Sequence, residues 1–174
     1  FSQEKVEDDF EGNGTITSWA QDASVINTSF SNPFKVGINT SNTVLRYEDN
    51  GGQYANVKFD VPKNFDLSEK HTFSIKIYVP SNSITGNQKN QVSLKLQNNN
   101  IAAPWSTQTE IIKNISLNTW QTVTFDFKND TYINIDANSA TPINRTDFNR
   151  VLLQVNGENN TDQLIAFIDD FLYD

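Results

Sequence analysis

Apolar residues recur at every second position along much of this chain. Phe73, Ile75, Ile77 and Val79 alternate with Ser74, Lys76 and Tyr78, and Val92, Leu94 and Leu96 alternate with Ser93, Lys95 and Gln97. Val123, Phe125 and Phe127 alternate with Thr122, Thr124 and Asp126, and Val57 and Phe59 with Lys58 and Asp60. That period belongs to half-buried strands with one apolar and one polar face, and no segment sustains the spacing of an amphipathic helix. Further strands are predicted over residues 43–48, 109–115, 150–156 and 164–173, with weaker ones near 5–10 and 23–27. Turn signals such as Gly12-Asn13-Gly14, Asp49-Asn50-Gly51-Gly52, Pro80-Ser81-Asn82 and Asn156-Gly157 separate them. About nine or ten strands at this spacing predict an all-β fold, an antiparallel β-sandwich or jelly roll.

The 174 residues amount to one domain, and no repeat or linker divides residues 1–174. About two dozen Asn residues fall largely between the strands, where Asn tolerates left-handed backbone and closes turns. A net charge of −8, with no dense Lys/Arg cluster, argues against nucleic acid as a partner. No apolar run approaches a bilayer span, so no membrane insertion by this segment is expected. The absence of Cys and the single His71 remove thiolate chemistry and His-cluster metal sites. The absence of Met and Cys is read as a trimmed secreted protein or an excised module.

Acids gather at both ends, in Glu7-Asp8-Asp9-Phe10-Glu11-Gly12 and in Phe167-Ile168-Asp169-Asp170-Phe171. In a regular strand adjacent Asp169 and Asp170 take opposite faces, so one of them is expected to point inward among Phe and Leu residues. A buried carboxylate is costly unless paired or bound to metal. If the first and last strands are neighbours, Glu11 would meet an Asp of the last pair, and such an oxygen-rich site suits Ca²⁺. The other reading makes these acids edge charges that discourage sheet-to-sheet pairing.

Several segments resemble, in order, a jelly-roll (galactose-binding-like) carbohydrate-binding module of the kind found in secreted polysaccharide-degrading enzymes and surface glycan-binding proteins of Bacteroidota. They are Asp9-Phe10-Glu11-Gly12, Asn32-Pro33, Gly37-Ile38-Asn39-Thr40-Ser41, Val44-Leu45-Arg46-Tyr47, Thr72-Phe73-Ser74-Ile75-Lys76-Ile77-Tyr78, Leu94-Lys95-Leu96, Trp120 to Phe127, and Phe167-Ile168-Asp169-Asp170-Phe171. The resemblance implies a structural Ca²⁺ between the terminal strands, held by Glu11 and Asp170 with Asp9 and Asp169 as alternates, and by backbone oxygens of loop 37–41. It also implies a polysaccharide as partner, attached catalytic or surface-receptor domains, and a secreted or outer-surface location.

Sugar rings need flat apolar faces framed by amides and charges. Trp105, in the polar loop Asn98 to Ser106, has no apolar pattern to join and is the first candidate platform; Trp19 is a weaker one. Trp120 opens an apolar strand and reads as structural. On strand polar faces, Tyr78, Lys95 and Gln97 are expected to share one outward surface with Gln154, and Tyr54 follows a Gly-rich turn. No compact carboxylate strand motif, nucleophile elbow or Tyr/His/Arg constellation is present, and His71 reads as a turn residue. The expected function is non-catalytic polysaccharide binding, with a β-glucan such as laminarin as ligand. The alternatives are a polysaccharide-cleaving jelly-roll lyase or glycosidase and a structural spacer.

Overall fold

Strands that are dry on one face and wet on the other bury their dry faces by packing two sheets together. The computed structural model, which describes residues 5–174, does this with twelve strands and no α-helix among the described residues. In chain order these are β1 (Val6–Asp8), β2 (Ala20–Asp22), β3 (Val25–Ser31), β4 (Thr43–Asn50), β5 (Asn56–Asp60), β6 (Thr72–Tyr78), β7 (Gln91–Gln97), β8 (Thr109–Asn114), β9 (Gln121–Asp126), β10 (Ile133–Asn134), β11 (Arg150–Val155) and β12 (Gln163–Tyr173). The first sheet runs β3-β4-β12-β6-β9 with β1 also on β12, and the second runs β10-β8-β7-β11-β5-β2. All pairs are antiparallel. The sandwich is the expected one; the extra strands are the short β2 and β10, which carry too few residues to show alternation.

The apolar positions of the alternating strands meet between the sheets. Phe73, Ile75, Phe125 and Phe171 from the first face Val57, Phe59, Leu94 and Leu153 from the second in one buried cluster. Edge-to-face contacts organise it, including Phe59 on Phe171 at 5.0 Å and Phe73 on Phe127 at 5.7 Å. At about 2 kcal/mol for each buried Phe, this core is the chief favourable term.

The two outward faces are treated differently. A loop over residues 32–42 folds across the first sheet and seals a second apolar cluster of Val44, Tyr78, Trp120 and Phe167. Phe34 of that loop stacks on Tyr78 at 4.1 Å, and its carbonyl accepts the Trp120 Nε1–H at 2.7 Å. Asn32 and Asn39 shape the loop by accepting the backbone N–H groups of Phe34 and Ser41, two residues on. The second sheet's outward face has no such cover.

Candidate functional site

On that open face lies a cleft of about 610 Å³. Its floor is set by register. On β7 and β11, Lys95 stands opposite Leu152, Gln97 opposite Arg150, and Ser93 opposite Gln154, while Lys58 of β5 stands on the other side of Leu152. These residues alternate with the core-facing Leu94, Leu96, Val151 and Leu153, so one sequence pattern supplies both core and floor. Lys95, Gln97, Gln154 and Asn56 are nonetheless buried. The loops rising around the sheet make a trough of an outward surface.

Trp105 stands on one rim with 62% of its surface exposed. It is carried on a short 3-10 turn, Pro104–Thr107, where Pro104 fixes the entering backbone. Thr107 ties the turn down by donating to the Pro104 carbonyl and accepting the Asn98 N–H, and Arg145 donates to the Thr107 carbonyl while gripping Asp147 with two bonds. Gln108 and Ile135 continue this wall. Tyr54, 51% exposed, belongs to the other end, beyond the start of β5. Its hydroxyl donates to Asn159 Oδ1, as does Gln53 Nε2, so the turns over 51–55 and 156–160 form one wall. Asn156, Gly157 and Asn159 are left-handed in that turn, a conformation the Asn-Gly sequence suits.

Two of the three cations that line the cleft, Arg150 and Lys95, are held in ion pairs, and Lys58 is the third. Arg150 grips Asp60 through Nε and Nη2, which lowers the Asp60 carboxyl despite partial burial and raises the guanidinium. Lys95 Nζ donates to Glu158 Oε1 at 2.5 Å and to Asn56 Oδ1 at 3.2 Å. Glu110 lies directly opposite Lys95 on β8. Burial pushes its carboxyl up; Lys95 and Ser93 work against that, and Glu158 adds to it.

Of the residues expected to bind sugar, Trp105, Tyr54, Lys95 and Gln97 line this cleft, whereas Gln154, on the same face of β11, is 1% exposed and does not line it. Tyr78 does not join them. β6 and β7 follow one another in sequence but belong to different sheets, and Tyr78 is 8% exposed beneath Phe34. Trp19 is not a platform either. Its ring packs on Phe10, Phe59 and Phe171, and its Nε1–H donates to Asp8 Oδ2. Trp120 is buried, and His71 is held by Asp126 at 2.7 Å.

The terminal acids separate by environment. β1 does pair with β12. A bulge at Asp169–Asp170, with Asp170 at φ 47°, breaks the alternation, so neither carboxyl enters the core. Asp169, 0% exposed, accepts from Asn39 Nδ2, Ser41 Oγ and the Asp170 N–H. Burial raises its carboxyl, an effect the Ser41 and Asn39 bonds oppose. Glu11 Oε1 accepts the N–H groups of Asn42 and Thr43. Glu11 and Asp169 thus converge on one loop. Asp170 instead pairs with Lys76 at 2.7 Å, and Asp9 accepts the Glu11 N–H. Among the described residues no three acids or histidines stand together, so a cation here would draw on two carboxylates and the loop's own oxygens.

No protein-family model matches the sequence, and no curated protein matches it. Solved structures do. A family 11 carbohydrate-binding module of the cellulosomal cellulase Lic26A-Cel5E of Clostridium thermocellum superposes with TM-score 0.63 at 12% identity, over 99% of this chain and 95% of that one. This chain has the fold of a carbohydrate-binding module. A C-terminal family 22 carbohydrate-binding module of Clostridium thermocellum Xyn10B, whose cleft residues were studied for ligand binding, matches at TM-score 0.55 and 15% identity over 96% and 90% of the two chains. An exo-β-agarase matches 96% of this chain at TM-score 0.59 and 13% identity, and there the chain spans only 24% of the enzyme. Within the carbohydrate-binding-module fold, the sequence signal for the floor was alternation on β7 and β11. Arg150, Lys58 and Asn56 obey the same period, whereas Glu158 and Gln108 lie in turns that no period marks.

Proposed function

We propose that this protein binds a polysaccharide in the cleft of its second sheet and does not cleave it. The observation that carries this is Trp105, an exposed indole held by a braced turn above a floor of buried hydrogen-bonding side chains. The indole offers a face to the C–H side of a pyranose, and Lys95, Gln97 and Asn56 offer partners to its hydroxyls. Clefts are a subject of ligand binding in the family 22 module, which supports the same use here. The ligand proposed is a β-glucan such as laminarin, since a net charge of −8 favours an uncharged chain. We take the module to be secreted or displayed on the outer cell surface and joined to catalytic or receptor domains, as the agarase match supports.

Affinity electrophoresis in gels containing laminarin, xylan or alginate tests this. Retardation by laminarin, weakened tenfold or more in Trp105→Ala, is expected. Free migration through every gel would leave a spacer, and release of reducing ends or unsaturated products would make it an enzyme.

We also propose a structural Ca²⁺ held by Glu11 and Asp169, with oxygens of loop 37–41. The support is Asp169: a fully buried carboxylate with no cation among its described partners is costly, and a hard cation with oxygen ligands relieves that cost. Its binding would pin the loop that seals the first sheet. Calcium is expected to raise the melting temperature and a chelator to lower it; an unchanged melting temperature counts against the site.

A further inference from the structure

We propose that Lys58 and Asp22, at the β5–β2 edge of the cleft, form a second sugar subsite that reads hydroxyl groups, separate from the ring seated on Trp105. This rests on the cleft being the polysaccharide site. It goes further by naming two charged side chains that hold a different sugar of the same chain.

The charged side chains that line the cleft are Asp22, Lys58, Lys95, Arg150 and Glu158. Lys95 is committed to Glu158 and Asn56, and Arg150 to Asp60 through two bonds. Asp22 and Lys58 are left, and among the described residues neither side chain makes a hydrogen bond or an ion pair. Register puts them on one face: Asp22 stands opposite Asn56, and Lys58, two residues on from Asn56, stands opposite Ala20. They are diagonal neighbours across the two strands, a separation that a long side chain spans. Both are partly exposed, so a ligand in the cleft reaches them.

Position separates this pair from Trp105. In the order β10-β8-β7-β11-β5-β2 the Trp105 turn joins β7 to β8, whereas Lys58 and Asp22 lie two and three strands beyond β7, roughly 10 and 14 Å away at the usual strand spacing. One pyranose stacked on the indole does not cover that breadth, but the next rings of a chain laid across the strands do. Leu152 lies between Lys95 and Lys58 in the floor, so the chain crosses an apolar step before it meets the pair. An ammonium only donates and a carboxylate only accepts, whereas a sugar hydroxyl does both and so suits either. Neither group has a protein partner to displace, and hydrogen bonds to ionised groups are the stronger kind.

The test is titration calorimetry of the whole protein with laminarin and with xylan, in wild type, Lys58→Met and Asp22→Asn. The glycan that wild type binds is expected to bind each variant at least fivefold more weakly, although the two substitutions move the net charge in opposite directions. Saturation should still shift the Trp105 emission in both, because the stacking end is intact. Lys128→Met and Asp174→Asn, which make the same charge changes at exposed positions outside the cleft, should bind as wild type does. Lys58→Gln and Asp22→Ser replace a cleft variant whose melting temperature falls. A loss below fivefold in either cleft variant, a loss in one with a gain in the other, an equal loss in the remote variants, or disappearance of the Trp105 shift at saturation would each overturn the proposal. Failure of the underlying reading looks different: wild type would bind neither glycan, or Trp105→Ala would leave binding unchanged.

Discussion

Both sheets present an alternating outward face to water, yet one is closed and the other open. On the first sheet the outward positions of β6 and β12 include Tyr78 and Phe167, and a loop brings Phe34 down to cover them. On the second the corresponding positions are Lys95, Gln97, Arg150 and Gln154, and the surrounding loops stand up as walls. Apolar outward residues recruit a lid because their exposure costs about 25 cal/mol for each Å². Polar ones do not, and their face is left for a ligand. The same two-residue period thus yields stability on one side and a site on the other.

Exchanging one residue type on the two faces gives the sharpest contrast. Trp120→Ala removes a buried indole that touches Tyr78 and bonds the Phe34 carbonyl, and should cost about 3–5 kcal/mol in denaturant unfolding while leaving glycan affinity intact in the folded fraction. Trp105→Ala should do the reverse, leaving stability within about 0.5 kcal/mol because the ring packs on little. If both variants lost stability alike, the open face would be a packing surface. Phe34→Ala should cost less than Trp120→Ala, about 2 kcal/mol, because Phe34 is only partly buried over Tyr78.

The smallest effects are electrostatic. Asp126, at the end of β9 in the first sheet, is held down to about 2: burial acts against this, but donors from Asn129, the Lys128 N–H and His71 outweigh it. A lowered carboxyl stabilises above its unfolded pKa, and that stability is lost as pH falls from the ordinary Asp range toward about 2. Glu110 on the second sheet is raised, so the sign inverts: stability is full below its ordinary range and declines as pH rises through the folded value. Carbon-detected NMR titration should find the two midpoints displaced in opposite directions. Midpoints displaced the same way would remove the electrostatic contrast.

The apolar pattern made eight of the nine strands of five or more residues legible, all but β3, and with them the core and the polar row of β7 and β11. It could not say which strands become neighbours. The chain between β6 and β7 crosses from one sheet to the other, which takes Tyr78 away from Lys95. Nor does a polar tripeptide around Trp19 reveal that Phe10, Phe59 and Phe171 converge on it from distant segments. Of the adjacent acids, regular alternation sends one inward. The bulge at Asp170 instead gives Asp169 to the loop and Asp170 to Lys76, a choice set by backbone geometry rather than composition. Trp105 was readable because an indole in a polar loop has nothing local to pack against.

Trp105 is the exposed tryptophan of three, since Trp19 and Trp120 are enclosed by neighbouring rings. Intrinsic fluorescence titrated with laminarin therefore reports on the cleft directly. A saturable blue shift in wild type that disappears in Trp105→Phe is the predicted result. A shift of the same size in Trp105→Phe, or saturable binding with no shift in wild type, would place the ligand elsewhere and contradict the proposed site.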